Sequence, residues 1–165
     1  FPGASIRLVD FSGSLLHECS GRLSEFDNLE YQEEDFRSLR FDPGSFDLVV
    51  SSISLHHLTD REKAELFKEV FAWLDDGGVF SYSDQFAGVT DDLYARQMAD
   101  WKERAEALGA SAEEWAAWME HQEAHDHHAP LTDQIDWLRE AGFESIDCVW
   151  RYVLWTVVQA SKRSL

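Results

Sequence analysis

The chain has 165 residues, 44% of them hydrophobic, with seven tryptophans. This is enough for one domain with a sizeable core, and it argues against disorder. The formal net charge of −18 repels nucleic-acid phosphates, and the few Lys and Arg form no basic stripe, so a nucleic-acid partner is disfavoured. No apolar run is long enough to span a membrane, and Cys19 and Cys148 form no motif, which suits a cytoplasmic protein with unpaired thiols.

Residues 5–10, "SIRLVD", form a short β-branched run that predicts a strand buried on both faces, hence one from a parallel sheet. A helix follows, with Leu15, Leu16, Cys19, Leu23 and Phe26 at helical spacing and Ser12 as its N-cap. Residues 29–36 alternate as a strand, and "FDPGS" reads as a turn. The run "SFDLVVSSISLHHL" predicts a strand over 46–53, then a helix opened by a Thr59–Glu62 capping box. "DDGG" is expected to stop that helix, and residues 79–84 to form the next strand. Residues 90–128 read as two helices, the second capped by Ser111 with Glu114. A further helix is expected with Thr132 as cap and Gly142 as stop. The chain closes as a hairpin bending near residues 151–154. Strands and helices in this order predict a doubly wound α/β sheet.

In an open parallel sheet, ligands bind beyond the carboxyl ends of the strands. The residues expected there are Asp10, Asp35 with Phe36, residues 51–57 and residues 83–85. An acid ending one strand can accept hydrogen bonds from both ribose hydroxyls. An acid followed by an aromatic ring, after the next strand, can take an adenine amino group while the ring covers the base. Small serines at a strand end let a ligand approach the backbone. Each acid also has a local alternative, as the cap of the next helix.

With these residues in this order, the sequence resembles the class I S-adenosylmethionine (SAM)-dependent methyltransferases. The matching stretches are "IRLVDFSGSLL", "YQEEDFRSL", "SFDLVVSSISLHHL", "LFKEVFAWLDDGGVFSYSD" and "LTDQIDWLREAGFESIDCVW". Within that superfamily it is most similar to domains with a two-helix insertion, near the carboxy-SAM synthase and tRNA-wobble-uridine group. The resemblance implies a Rossmann-like, mostly parallel sheet in a single domain over residues 1–165. A C-terminal antiparallel hairpin and a helical lid insertion over residues 88–130 complete it. It implies SAM as cofactor, with Asp10 on the ribose, Phe11 beside the adenosine, Asp35 on the adenine amino group and Phe36 against the base. Ser51 and Ser52 would lie near the methionine portion and the sulfonium, and Asp84 and Gln85 would face the substrate. The reaction implied is methyl transfer to a small-molecule acceptor by direct in-line displacement, without a metal; a homodimer is compatible with it. One departure is large. The family's first strand and its D/E-x-G-x-G loop have no counterpart ahead of residue 5, so the first strand is expected to be missing. Phe1-Pro2-Gly3 then reads as the end of a loop in a fragment of a longer chain.

His56 and His57 reach the rim of the expected cleft. One of them is a candidate general base for the acceptor's proton; the alternative is an imidazole that caps or packs. His121 and His125, four apart, have metal-ligand spacing, with Glu123 and Asp126 nearby, but a solvated helix end fits as well, and no metal is expected. His128 is a candidate lining residue of the acceptor pocket, and Arg151 and Tyr152 could bind an acidic acceptor. Trp101, Trp115 and Trp118, with Met98 and Met119, suit lid packing or an acceptor pocket. Three other functions compete: a methyltransferase-like binding or regulatory module, a carboxy-SAM synthase, and a nicotinamide-dependent oxidoreductase. The antiparallel closing hairpin weighs against the last of these.

Overall fold

The computed structural model describes residues 3–163; Phe1 and Pro2, read above as the end of a loop, lie outside that range. Residues 1–41 and residues 42–165 form separate units. The architecture is mixed α/β, of the Rossmann-like kind expected.

In the first unit, β1 (Ile6–Asp10) runs parallel to β2 (Leu29–Glu33), with Asp10 opposite Glu33. Between them, α1 (Gly13–Arg22) starts at Ser12, whose hydroxyl accepts from the Leu15 amide at 3.4 Å. Leu16 is buried under this helix, while Leu15 and Phe26 stay exposed despite their helical spacing. The expected two-sided burial of β1 is likewise absent, since Ile6 remains exposed. β2 is shorter than residues 29–36 because its ladder stops where β1 stops. The Glu34 amide still donates to the Asp10 carbonyl at 3.0 Å, and the chain then turns.

The second unit is built on a four-stranded sheet. β3 (Phe46–Ser52) lies parallel to β4 (Leu74–Gln85), and β4 is antiparallel to β6 (Trp155–Ser161), which pairs with β5 (Ser145–Tyr152). The hairpin bends at Val153 and Leu154, where expected. The start of β4 was not expected: "DDGG" lies inside the strand. β4 begins directly after α2 (Asp60–Trp73) because Leu74 is fully buried and pairs with Phe46. The glycines absorb the resulting irregularity. Gly77 has φ +79°, and a Cβ on Gly78 would lie 2.9 Å from the Asp75 carbonyl oxygen.

Both capping boxes form as read, Thr59 with Glu62 on α2 and Ser111 with Glu114 on α4 (Ala112–His125). α3 (Asp91–Ala107) is capped by Thr90. On α5 (Leu131–Ala141) the expected Thr132 cap is replaced by Pro130. Its carbonyl accepts from the Gln134 amide and its ring fixes φ, while the Thr132 hydroxyl donates to the Asp133 carboxylate at 3.0 Å. Gly142 ends α5 in the left-handed region. α2 and α5 pack together, burying Phe67, Val70 and Leu138 beside Phe80, Tyr82 and Val158 of the sheet. Each such side chain contributes about 1.5–3 kcal/mol by leaving water. Helices α3 and α4 bury no residue fully; they meet through Trp101, which lies 5.0 Å from Trp115 and 6.3 Å from Trp118, ring centre to ring centre.

Candidate functional site

Parallel pairing places the tips of β1 and β2 side by side, so Asp10 and Asp35 emerge at the same end of the first unit. Asp10 Oδ1 accepts the Ser12 amide at 2.7 Å. Asp35 Oδ1 accepts the Arg37 amide at 2.8 Å, and its Oδ2 takes the Arg37 guanidinium at 2.9 Å. Neither acid caps a helix, since Ser12 caps α1 and a turn follows Asp35; each instead holds the amide two residues on. A carboxylate can accept about four hydrogen bonds, so each acid keeps capacity for a ligand's hydroxyl or amino groups. Phe11 is 68% exposed, and Phe36 lies beneath the Arg37 guanidinium at 5.5 Å.

In the second unit the parallel register sets Ser51 opposite Tyr82 and Ser52 opposite Ser83, with the two serine hydroxyls 3.0 Å apart. Ile53 follows at φ +52°, a left-handed conformation that costs a β-branched residue about 1–3 kcal/mol. The bend turns the chain into a 3-10 turn, Leu55–His57, aimed at Asp84 on the neighbouring strand. Asp84 Oδ2 accepts the backbone N–H groups of Ser54, Leu55 and His56 at 3.3, 2.7 and 3.1 Å. Its Oδ1 lies 2.6 Å from His56 Nδ1 and also accepts the Gln85 amide at 2.8 Å.

The end of α4 supplies the other half. Asp126 caps that helix at its C-terminus and lies among three imidazoles. Its Oδ1 is 3.0 Å from His57 Nδ1 and 3.8 Å from His56 Nε2, and its Oδ2 is 3.8 Å from His128 Nε2. Two backbone contacts fasten this segment: the His127 amide donates to the His56 carbonyl at 2.6 Å, and the Ala87 amide to the Ala129 carbonyl at 3.1 Å. The buried Lys63 ammonium donates to the carbonyls of Leu58 and His127, so it ties α2 to the same stretch. Tyr94 of α3 completes the shell, its hydroxyl 2.7 Å from His128 Nδ1.

Burial opposes charge on His56, but the hydrogen bond and charge of Asp84, with Asp126, outweigh it and raise its pKa. Burial, then the neighbouring His56, lowers His57. Burial pushes His128 down to about 4, and it lowers Lys63 as well.

Of the residues singled out on the acceptor side, Asp84 and His128 are buried and internally bonded. Gln85 sits half-buried in the ladder opposite Trp155. Arg151 and Tyr152 are exposed at the hairpin end, where Arg104 stacks over Tyr152 at 4.8 Å. His121 and His125 are exposed, with ring centres 4.9 Å apart. Sequence reasoning passed over Lys63 and Tyr94 and named Asp126 only as a neighbour of the wrong histidine pair. The one available signal was its place between a helix end and "HH".

A sequence family described as "Methyltransferase domain" matches residues 1–78. The phosphoethanolamine N-methyltransferase of Plasmodium falciparum is 25% identical over 85 residues, 52% of this chain and 32% of that protein. The chain thus spans about a third of the length of the curated relative it matches. A solved structure titled a possible exported protein, from Bordetella parapertussis, matches with a TM-score of 0.72 at 15% identity, covering 98% of this chain and 54% of that one. Human N-acetylserotonin methyltransferase, solved in complex with SAM, matches with a TM-score of 0.62 at 15% identity, covering 99% of this chain and 42% of that one. The structural likenesses speak for the fold, and the domain match covers both Asp10 and Asp35. Together these matches support the class I SAM-dependent methyltransferase superfamily for this chain, with a methyltransferase domain matched over residues 1–78.

Proposed function

We propose that the chain transfers a methyl group from SAM to a small-molecule acceptor by direct in-line displacement. One observation carries this reading: Asp10 ends β1, and Asp35 follows two residues after the end of the parallel strand β2, inside the residues that match a methyltransferase domain. Bound SAM supplies an electrophilic methyl group on a sulfonium. Asp10 accepts from the ribose hydroxyls with Phe11 against the adenosine, and Asp35 accepts from the adenine amino group with Phe36 flanking the base. In the second unit, Ser51 and Ser52 keep the tip of β3 small. Gln85, Arg151 and Tyr152 offer polar contacts to an acceptor, while Asp84 and His128, being buried, act by fixing the residues above them.

Such a displacement depends on positioning and desolvation, which can supply most of the rate. His56 and His57 both turn a nitrogen toward Asp126, an arrangement better suited to holding something than to accepting the acceptor's proton. Among the described residues no helix is long and apolar enough to cross a membrane.

Calorimetric titration of the chain with SAM, and separately with NADH, tests the proposal. Saturable SAM binding that Asp10→Ala weakens is the expected result. Binding of NADH but not SAM would replace methyl transfer with hydride transfer.

A further inference from the structure

The histidine cluster of the second unit holds polar atoms that the fold buries and leaves without hydrogen bonds. Asp126 Oδ1 and His128 Nε2 are both buried with no hydrogen-bond partner. A buried acceptor without a partner costs about 1–3 kcal/mol, so something else is expected to meet these atoms.

His56 sharpens the point. Its Nδ1 lies 2.6 Å from Asp84 Oδ1. In the neutral ring Nδ1 carries the proton, and the Nε2 lone pair faces Asp126 Oδ1 at 3.8 Å. Lone pair then confronts carboxylate, which is unfavourable unless a proton or a metal ion stands between them. His57 Nδ1 approaches the same oxygen at 3.0 Å, without forming one of its hydrogen bonds. One ligand atom from each of His56, His57 and Asp126 lies within 4.8 Å of the others. Ligands about 2.0–2.2 Å from a tetrahedral zinc stand roughly 3.3 Å apart, between the 3.0 and 3.8 Å at which Asp126 Oδ1 meets the His57 and His56 nitrogens. The charges agree: Asp84 and Asp126 outnumber Lys63, the buried cation nearby.

We propose that His56, His57 and Asp126 bind a first-row divalent metal ion, zinc being the probe. The outer shell is already in place. Asp84 orients His56 in the carboxylate–histidine–metal manner, the His125 carbonyl bonds the His57 ring, and Tyr94 fixes His128 beside the site. Two imidazoles and a carboxylate leave a position for water or for an oxygen or nitrogen of an acceptor. The exposed His121–His125 pair, which has the textual spacing of a ligand pair, is not part of the set. The proposal goes beyond methyl transfer and stands without it.

Equilibrium dialysis of the intact chain against zinc chloride, followed by metal analysis, tests the site. One zinc per chain is expected, with affinity reduced at least about tenfold in Asp126→Ala and His57→Ala. A His121→Ala, His125→Ala double variant should bind as the unmodified chain does. No retained zinc, or loss only in that double variant, overturns the proposal. Should Asp126→Ala fail to fold, NMR of the unmodified chain decides: zinc must shift the His56 and His57 ring signals, and unmoved signals overturn the assignment. SAM titration of each variant separates the two claims, since zinc can be lost with SAM binding intact, and the reverse.

Discussion

Asp84 grips His56 at two points: its Oδ1 lies 2.6 Å from the ring Nδ1, while its Oδ2 accepts the backbone N–H of the same residue at 3.1 Å. The parallel β3–β4 register makes this inevitable, since Ser52 opposite Ser83 leaves Asp84 level with the turn that follows β3. Breaking a buried charged pair from one side costs about 3–5 kcal/mol. Asp84→Ala is expected to lose that much unfolding free energy, and Asp84→Asn less, because the amide oxygen still accepts. Urea denaturation measures both, and an Asp84→Ala variant within about 1 kcal/mol of the parent would mean that the turn stands without its cap.

Lys63 serves the adjoining segment. Its ammonium donates to the Leu58 and His127 carbonyls from a position with almost no exposure. Lys63→Met removes a buried charge but strands two acceptors, so a net loss of about 1–3 kcal/mol is expected. Hydrogen exchange should quicken at the amides of residues 126–129 and stay unchanged in β6. Equal quickening in both would contradict a local tether.

Tyr82 gives the pH dependence. Burial above all, with the charge of Asp84, raises its pKa well above 10. A folded pKa above the unfolded one means stability is fully present below pH 10 and lost as pH climbs past it. Tyr82→Phe removes this alkaline loss, at a cost near neutral pH of about 1 kcal/mol for the 3.0 Å bond to Gln134. Denaturation curves at pH 7 and pH 11 read both effects. The gap between parent and variant should narrow or invert at the higher pH, and a constant gap would refute the assignment.

Gly88, just ahead of α3, has no room for a side chain. A Cβ there would sit 2.5 Å from the Tyr94 backbone nitrogen, and backbone cannot swing aside as a side-chain tip can. Gly88→Ala is expected to cost about 1–3 kcal/mol. Because Tyr94 also supports His128, ring signals of His128 should shift in the same variant. A melting temperature and His128 signals both matching the parent would show that α3 moves freely.

What could be read from the sequence was local. Capping boxes at Thr59 and Ser111 and the Gly142 stop depend on spacing within a few residues, and they appear as read; Asp10 ends its strand as expected, whereas Asp35 falls in the turn beyond β2. The start of β4 did not, because "DDGG" carries turn chemistry that the burial of Leu74 overrides. Thr132 lost its capping place to the proline two residues earlier. The histidine centre depends on the end of α4 folding back onto the turn after β3. Asp126 and His57 are far apart in the chain, and no periodicity announces their meeting. A buried lysine on α2 gives no sequence signal at all, since its spacing is that of an ordinary solvated face.

The three consecutive N–H groups after Ile53 form a cup of the kind that captures anions. Here the cup arrives corked by the protein's own Asp84. A phosphate or carboxylate from solution therefore finds no vacancy at this spot. Cutting the cork back to alanine uncovers it, and formate or acetate, small enough to slip in, should restore part of the lost stability.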